Sequence, residues 1–207
     1  MHVADALREA VIATARDAAA EILRVYDTCF DVDHKADDSP VTVADREAET
    51  VIRGKIRRHY PDHAIFGEEH GRDGEGDFLW LVDPLDGTKS FVRGTPFYST
   101  QIALMHKGEL LLGVSAAPHY GETLWARRGG GAWMDGRRIH VANTSNFTQA
   151  VLSLGNLRTL AGDARRWRAL GDLVGKVNRV RGYGDFCHYH LLARGALDIV
   201  IESDVNI

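Results

Sequence analysis

The segment Phe78-Leu-Trp-Leu-Val82 constrains this chain most, because it is an apolar run with neither alternation nor helical period, bounded by a glycine-rich loop before it and Asp83-Pro84 after it. Such a run reads as a strand buried on both faces. With 207 residues and 44% hydrophobic content, the chain can bury a core of that kind as one large domain or two small coupled ones. Asp83 to Thr88 then lie at a strand's carboxyl end, and loop tips on a rigid scaffold are where sites are usually built.

Leu7, Val11, Ala18, Ile22 and Val25 recur at helical steps and predict a helix from about Ala4 to Thr28. The polar, acidic stretch from Phe30 to Pro40 reads as a loop. Thr42 and Asp45 stand at capping-box spacing, and Ala48, Val51, Ile52 and Ile56 continue the period, so a second helix is expected from about Val43 to Arg58, ended by Tyr60-Pro61. From Tyr98 to Val141 the pattern is an antiparallel meander, with strands near 98–105, 110–117, 122–127 and 131–134. Its turns fall at Lys107-Gly108 and Asp135-Gly136, and Gly129-Gly130-Gly131 reads as a further turn rather than a phosphate loop. Beyond about Asn143 the rhythm changes to alternation: strands near 151–154, 178–182 and 197–202 with helices near 163–175 and 186–194. The expected fold class is α+β, an antiparallel sheet in the N-terminal half and alternating α/β in the C-terminal half, with domains at 1–142 and 143–207.

A formal charge of −4 and a pI near 6.2 disfavour non-specific nucleic-acid binding, which needs a net basic face. Arg127-Arg128 and Arg137-Arg138 read as solvated charges at loops or strand ends. Cys29 and Cys187 are the only cysteines, and the N-terminus lacks a basic-then-apolar leader, so free thiols and a cytoplasmic location are expected. No apolar run approaches the roughly 20 residues that cross a bilayer, so neither membrane nor nucleic acid is an expected partner.

Asp45, Glu68, Asp83 and Asp86 each lie where an element begins or ends. Singly, each has an ordinary structural role open to it: a first-turn acid, a solvated Glu68-Glu69 pair, an Asp86-Gly87 turn. Together they are harder to account for so, because Asp83 and Asp86 are three apart across a proline-stiffened turn that aims both at one point with no cationic side chain placed to neutralise them. An all-oxygen set without paired His or Cys calls for a hard cation, Mg²⁺ before Zn²⁺. His188 and His190 are two apart on a predicted helix and cannot chelate one ion together, so each is expected at the surface or lining a substrate. Gly87-Thr88-Lys89-Ser90 opens a short helix whose amides face an anion, and Thr88 adds a hydroxyl able to pass a water's proton to Asp45.

Pro40-Val-Thr-Val-Ala-Asp45-Arg-Glu-Ala-Glu49, Gly67-Glu68-Glu69 and Trp80-Leu-Val-Asp83-Pro-Leu-Asp86-Gly-Thr88-Lys-Ser-Phe91-Val-Arg-Gly94-Thr-Pro96-Phe97 resemble, in order and spacing, the signature of the inositol monophosphatase superfamily. The resemblance covers nearly the whole chain. It implies an αβαβα layered sandwich, a homodimer, and hydrolysis of a small phosphomonoester with about two to three Mg²⁺ ions per site. By position, Glu68, Asp83 and the Leu85 carbonyl would hold a first metal, Asp83 and Asp86 a second, and Glu68 also a third. Asp45 and Thr88 would activate the attacking water for in-line displacement without a covalent phosphoenzyme. Gly87 and Thr88 would hold the phosphate, and Glu69 would lie just outside the metal ligands.

Family members carry a Trp-Asp pair after the strand matching Leu197 to Glu202, its Asp completing the second metal site; this chain ends at Ile207 before such a pair, so the resemblance implies a fragment or an incomplete second site. Gly182-Tyr-Gly-Asp185-Phe186, Ala196-Leu-Asp-Ile-Val-Ile-Glu202 and Lys35-Ala-Asp-Asp-Ser-Pro-Val-Thr42 look closest to the superfamily's histidinol-phosphate phosphatases. Asp185 and Glu202 would then pair with the substrate's cationic end, although Asp185 is equally placed to be a helix N-cap. The alternatives are an inositol-1-monophosphatase or broad small-molecule phosphatase, and a non-catalytic member that only binds a phosphorylated ligand. Retention of Asp45, Glu68, Asp83, Asp86 and Thr88 argues against the last, since a retired site has no reason to keep carboxylates that repel.

Overall fold

The computed structural model describes residues 5–35 and 40–203; positions 36–39 of the Lys35–Thr42 motif and positions 204–207 at the chain's end lie outside the described residues. The chain divides into two compact units, residues 1–138 and 139–207.

In the first unit, α1 (Asp5–Tyr26) is followed by β1 (Val32–His34), β2 (Pro40–Thr42), α2 (Val43–His59), β3 (Ala64–Gly67), β4 (Gly71–Asp73), β5 (Phe78–Asp86) and α3 (Thr88–Val92). The meander then runs through β6 (Ser99–His106), β7 (Glu109–Ala117), β8 (Glu122–Arg127), β9 (Gly131–Met134) and β10 (Arg137–Ile139). These strands form an eight-stranded sheet in the order β10-β9-β8-β7-β6-β5-β3-β4. All its described pairings are antiparallel except β3 against β5. The expected loop from Phe30 to Pro40 instead contains β1, which pairs with β2.

The 3.6-residue period of α1 and α2 decides what is buried. Val11, Ala15, Ala18, Ile22, Ala48, Ile52 and Ile56 face inward and join Trp80, Val82, Ile102, Leu104 and Leu112 of the sheet in one cluster. Burying Trp80, Ile52 or Ile22 stabilises by about 1.5–3 kcal/mol each relative to exposure. No described helix is long and apolar enough to cross a membrane.

The second unit has a three-stranded parallel sheet, with β11 (Val151–Gly155) between β12 (Arg179–Arg181) and β13 (Ile199–Glu202). Its helices are α4 (Arg158–Ala161), α5 (Ala164–Val174) and α6 (Asp185–Ala193). Parallel strands cannot be joined by hairpins, which is why helices alternate with strands here. His188 and His190 on α6 are 0% and 3% exposed, so neither is at the surface as expected. The Asp185 N-cap expectation also fails, because Gly184 occupies that position and Asp185 is the helix's first residue, with φ 44°.

Candidate active site

The site of the first unit is assembled at the start of α2, the end of β5 and the loop after β3. Thr42 caps α2, and the capping box is formed: its backbone N–H and its Oγ1 each donate to Asp45 Oδ2 at 2.7 Å. Asp45 is 1% exposed, and Thr88 Oγ1 donates to its other oxygen at 3.1 Å. Burial raises the Asp45 carboxyl above its ordinary value while the Thr42 and Thr88 hydrogen bonds pull it back. The same Thr88 hydroxyl lies 2.9 Å from the Leu85 carbonyl, so one proton has two acceptors within reach.

β5 does not end at Val82 followed by a turn, as its apolar run suggests; it continues to Asp86 through a bulge. Asp83 pairs with Gln101 and Asp86 with Ser99, so three steps on β5 oppose two on β6. Strand side chains alternate faces, and residues three apart would normally point oppositely. The extra residue restores the parity, so both carboxylates emerge on the same face. Thr100 Oγ1 donates to the Pro84 carbonyl at 2.9 Å and the Leu85 amide to Asp83 Oδ1 at 3.1 Å, which fix the bulge. Gly87 follows at φ 87°, where a Cβ would stand 2.3 Å from the Phe97 carbonyl oxygen, so only glycine fits.

Asp83 is held well above the usual carboxylate range, first by burial, then by the charges of Asp86 and Glu68 and by a hydrogen bond shared with Glu68; the Leu85 amide opposes this. Glu68 and Glu69 are also bridged by Lys35, whose ammonium donates to Glu68 Oε1 at 2.8 Å and Glu69 Oε1 at 2.6 Å. Burial alone would lower the Lys35 pKa, but those two bonds and charges outweigh it and raise it. Burial likewise raises Glu69, against Lys35.

Among the described residues, no three His, Cys, Asp or Glu side chains already converge as a metal cage. The donors nevertheless suit a hard divalent cation: they are all oxygen, acidic and mutually repelling, and the Leu85 carbonyl lies on the same bulge. Lys35 offsets part of this charge through Glu68 and Glu69.

Two participants escaped the sequence reading. Lys35 was legible only as part of a motif. Glu49, one helical turn after Asp45, is 0% exposed and accepts from Arg53 Nε at 2.6 Å, the Glu69 amide at 2.7 Å and the His70 amide at 3.3 Å. It pins the Glu68-Glu69 loop, and a Cβ at Gly67 would collide with its carboxylate at 1.9 Å. The i to i+4 spacing from Asp45 to Glu49 was the available signal. Asp185 and Glu202 belong to the second unit and are not among the residues gathered here.

The inositol monophosphatase family model matches residues 4–207. The histidinol-phosphatase of Mycobacterium tuberculosis is 41% identical over 201 residues, covering 92% of this chain and 76% of that protein. The histidinol-phosphatase of Streptomyces coelicolor is 37% identical, covering 95% of this chain and 77% of its own length. The crystal structure of the extragenic suppressor protein suhB from Bartonella henselae superposes with a TM-score of 0.91 at 28% identity, over 98% of this chain and 80% of that one. With its Asp-Pro-Leu-Asp bulge, its Thr88–Asp45 pair and a family match over almost its full length, this chain belongs to the inositol monophosphatase family and is a phosphatase.

Proposed function

We propose that the enzyme is a Mg²⁺-dependent phosphomonoesterase that hydrolyses histidinol phosphate to histidinol and phosphate, acting as a cytoplasmic homodimer in histidine biosynthesis. The observation that carries the chemistry is the crowding of Asp83 by Asp86 and Glu68 beside the hydrogen-bonded Thr88–Asp45 pair. Glu68, Asp83, Asp86 and the Leu85 carbonyl would hold the cations. When bound, they supply Lewis acidity at the phosphoryl oxygens and polarise a water.

The chain's own residues divide the remaining work. Thr88 Oγ1, while donating to Asp45 Oδ1, turns a lone pair outward to accept a proton from the attacking water. Asp45 holds that proton at Oδ1 because Oδ2 is already occupied by Thr42. Its raised pKa makes it a stronger base than an exposed aspartate. The Ser90 and Phe91 amides are bonded to the Gly87 carbonyl, and the earlier Gly87 and Thr88 amides would serve the phosphate oxygens. Glu49 keeps the Glu68-Glu69 loop in place through the Glu69 and His70 amides.

Substrate choice is assigned to Asp185 and Glu202, whose carboxylates suit a ligand bearing an ammonium and an imidazole better than a polyol. The similarity to two histidinol-phosphatases at 41% and 37% identity supports this reading. The test is phosphate release in Mg²⁺ from histidinol phosphate and inositol 1-phosphate, side by side, with the full-length protein. A preference for the first is expected. Preference for inositol 1-phosphate overturns the substrate but leaves the metal chemistry standing, and no release from either favours the ligand-binding alternative.

A further inference from the structure

Ser153, His188 and Glu202 form a buried polar chain in the second unit that the hydrolytic steps leave unused. They come from three elements, β11, α6 and β13. Ser153 and His188 are both 0% exposed. His188 Nε2 lies 2.9 Å from Glu202 Oε2, and Nδ1 lies 3.4 Å from Ser153 Oγ. The Tyr183 amide donates to Ser153 Oγ at 3.3 Å.

The Glu202 carboxylate can only accept from His188, so Nε2 of the ring donates to Oε2. Ser153 Oγ accepts from the Tyr183 amide and still has a second lone pair and its own proton for Nδ1, so it holds the ring whichever of the two donates. Leaving either ring nitrogen without a partner would be costly at this depth.

The carboxylate at the end of the chain is clamped. Its Oε2 accepts from His188 and, at 3.0 Å, from the Tyr189 hydroxyl; its Oε1 accepts from Asn156 Nδ2 at 3.1 Å. A carboxylate has about four acceptor positions, so these donors leave one, on Oε1. Gly155 faces Glu202 in the β11–β13 register, and a Cβ there would stand 2.6 Å from Oε1 and 3.1 Å from His188 Cε1. The backbone of Gly155 thus closes one side of the carboxylate.

We propose that His188, anchored by Ser153, is a positioning residue that aims the remaining Oε1 lone pair of Glu202 at one N–H or O–H donor of the substrate, a cationic one by preference. Through Tyr183, Ser153 also ties that aim to the segment leading into Asp185, so both substrate-recognising carboxylates are set together. The inference rests on the proposed role of Glu202 and Asp185.

The test compares wild type, His188→Leu, His188→Gln and Ser153→Ala of the full-length enzyme in Mg²⁺, measuring kcat and KM for histidinol phosphate and inositol 1-phosphate. His188→Leu raises KM for the preferred substrate by about tenfold, as expected for losing a hydrogen bond to a charged group, leaves kcat little changed, and narrows the preference between the two esters. His188→Gln, whose amide can still donate to Oε2, restores most of that preference. Ser153→Ala falls between. Equal losses on both substrates, or a Gln variant no better than Leu, overturn the proposal in favour of a purely structural histidine. Independently of turnover, ¹⁵N spectra of the wild-type protein should show a protonated His188 Nε2; an unprotonated Nε2 overturns the proposal. Wild-type preference alone tests the substrate reading, so the two failures are distinguishable.

Discussion

Replacing Asp83 with Asn should stabilise the protein without Mg²⁺ and abolish its catalysis. The Asn carbonyl still accepts the Leu85 amide that lies 3.1 Å from Asp83 Oδ1, so the bulge survives. What changes is charge, because a carboxyl crowded by Asp86 and Glu68 becomes a neutral amide whose NH₂ can donate to them. A net hydrogen bond to a charged group is worth about 1.5–3 kcal/mol, and relief of repulsion acts in the same direction. A gain of about 2 kcal/mol in EDTA corresponds to a Tm rise of about 4–8 °C for a chain of this size. The folded wild type, with its raised Asp83 pKa, retains a proton that the unfolded chain releases. Its stability in EDTA therefore falls as pH rises through that folded value, and the variant's advantage widens. In Mg²⁺ at about 100 times Kd the wild type gains about 2.7 kcal/mol and the variant almost nothing, so the advantage shrinks or reverses. Phosphate release should drop by about a thousandfold, equivalent to about 4 kcal/mol of barrier. Thermal unfolding with and without Mg²⁺, beside a phosphate assay, reads all of this. A variant less stable than wild type in EDTA, equal Mg²⁺ stabilisation of both proteins, or retained activity would refute the reasoning.

Thr88→Ala should lower kcat by about a hundredfold while leaving Mg²⁺-induced thermal stabilisation intact, since it removes the proton path to Asp45 and no side-chain metal ligand; loss of Mg²⁺ stabilisation would instead make Thr88 part of the metal site. Glu49→Gln breaks a buried pair with Arg53 and should cost about 3 kcal/mol in urea unfolding, together with weaker Mg²⁺ binding because the Glu68-Glu69 loop loses its anchor. His63, stacked on Tyr60 and Phe78, accepts from Trp80 Nε1 at 3.1 Å, and burial lowers its pKa despite Asp62. A depressed histidine contributes stability that is present above its unfolded pKa near 6.5 and lost as pH falls through the folded value. His63→Phe should therefore flatten that acid-side loss at a cost of about 1 kcal/mol at neutral pH, and identical pH slopes for both proteins would rule His63 out.

Features carried by neighbours along the chain were legible beforehand. The period of α1 and α2, the Thr42–Asp45 box, the turns at Lys107-Gly108 and Asp135-Gly136 and the α/β rhythm after Asn143 all depend on residues within about one helical turn or hairpin of each other. Asp45, Glu68, Asp83, Asp86 and Thr88 could be named as candidates beforehand, because they stand in motifs whose order and spacing resemble a family signature and because clustered carboxylates repel unless a cation offsets their charge. Less visible were β1, β3 and β4, which are three or four residues long and too short for a period to register.

The amino-acid order alone determined which groups the site can draw on and which helices and strands carry them. Tertiary structure decided where those groups point. Whether Asp83 and Asp86 share a face depends on how β5 registers against β6, and the bulge that sets it has no local signature beyond Pro84. The contact between Thr88 and Asp45 joins residues 43 apart, and that between Ser153 and His188 joins residues 35 apart. His188 was expected at the surface or lining a substrate from its two-residue spacing to His190, which says nothing of depth, and only Ser153 and Glu202 on β11 and β13 give its buried ring two partners. Periods and caps are short-range and can be read off the chain, whereas register and burial come from packing between segments, so they exist only once the sheets have formed.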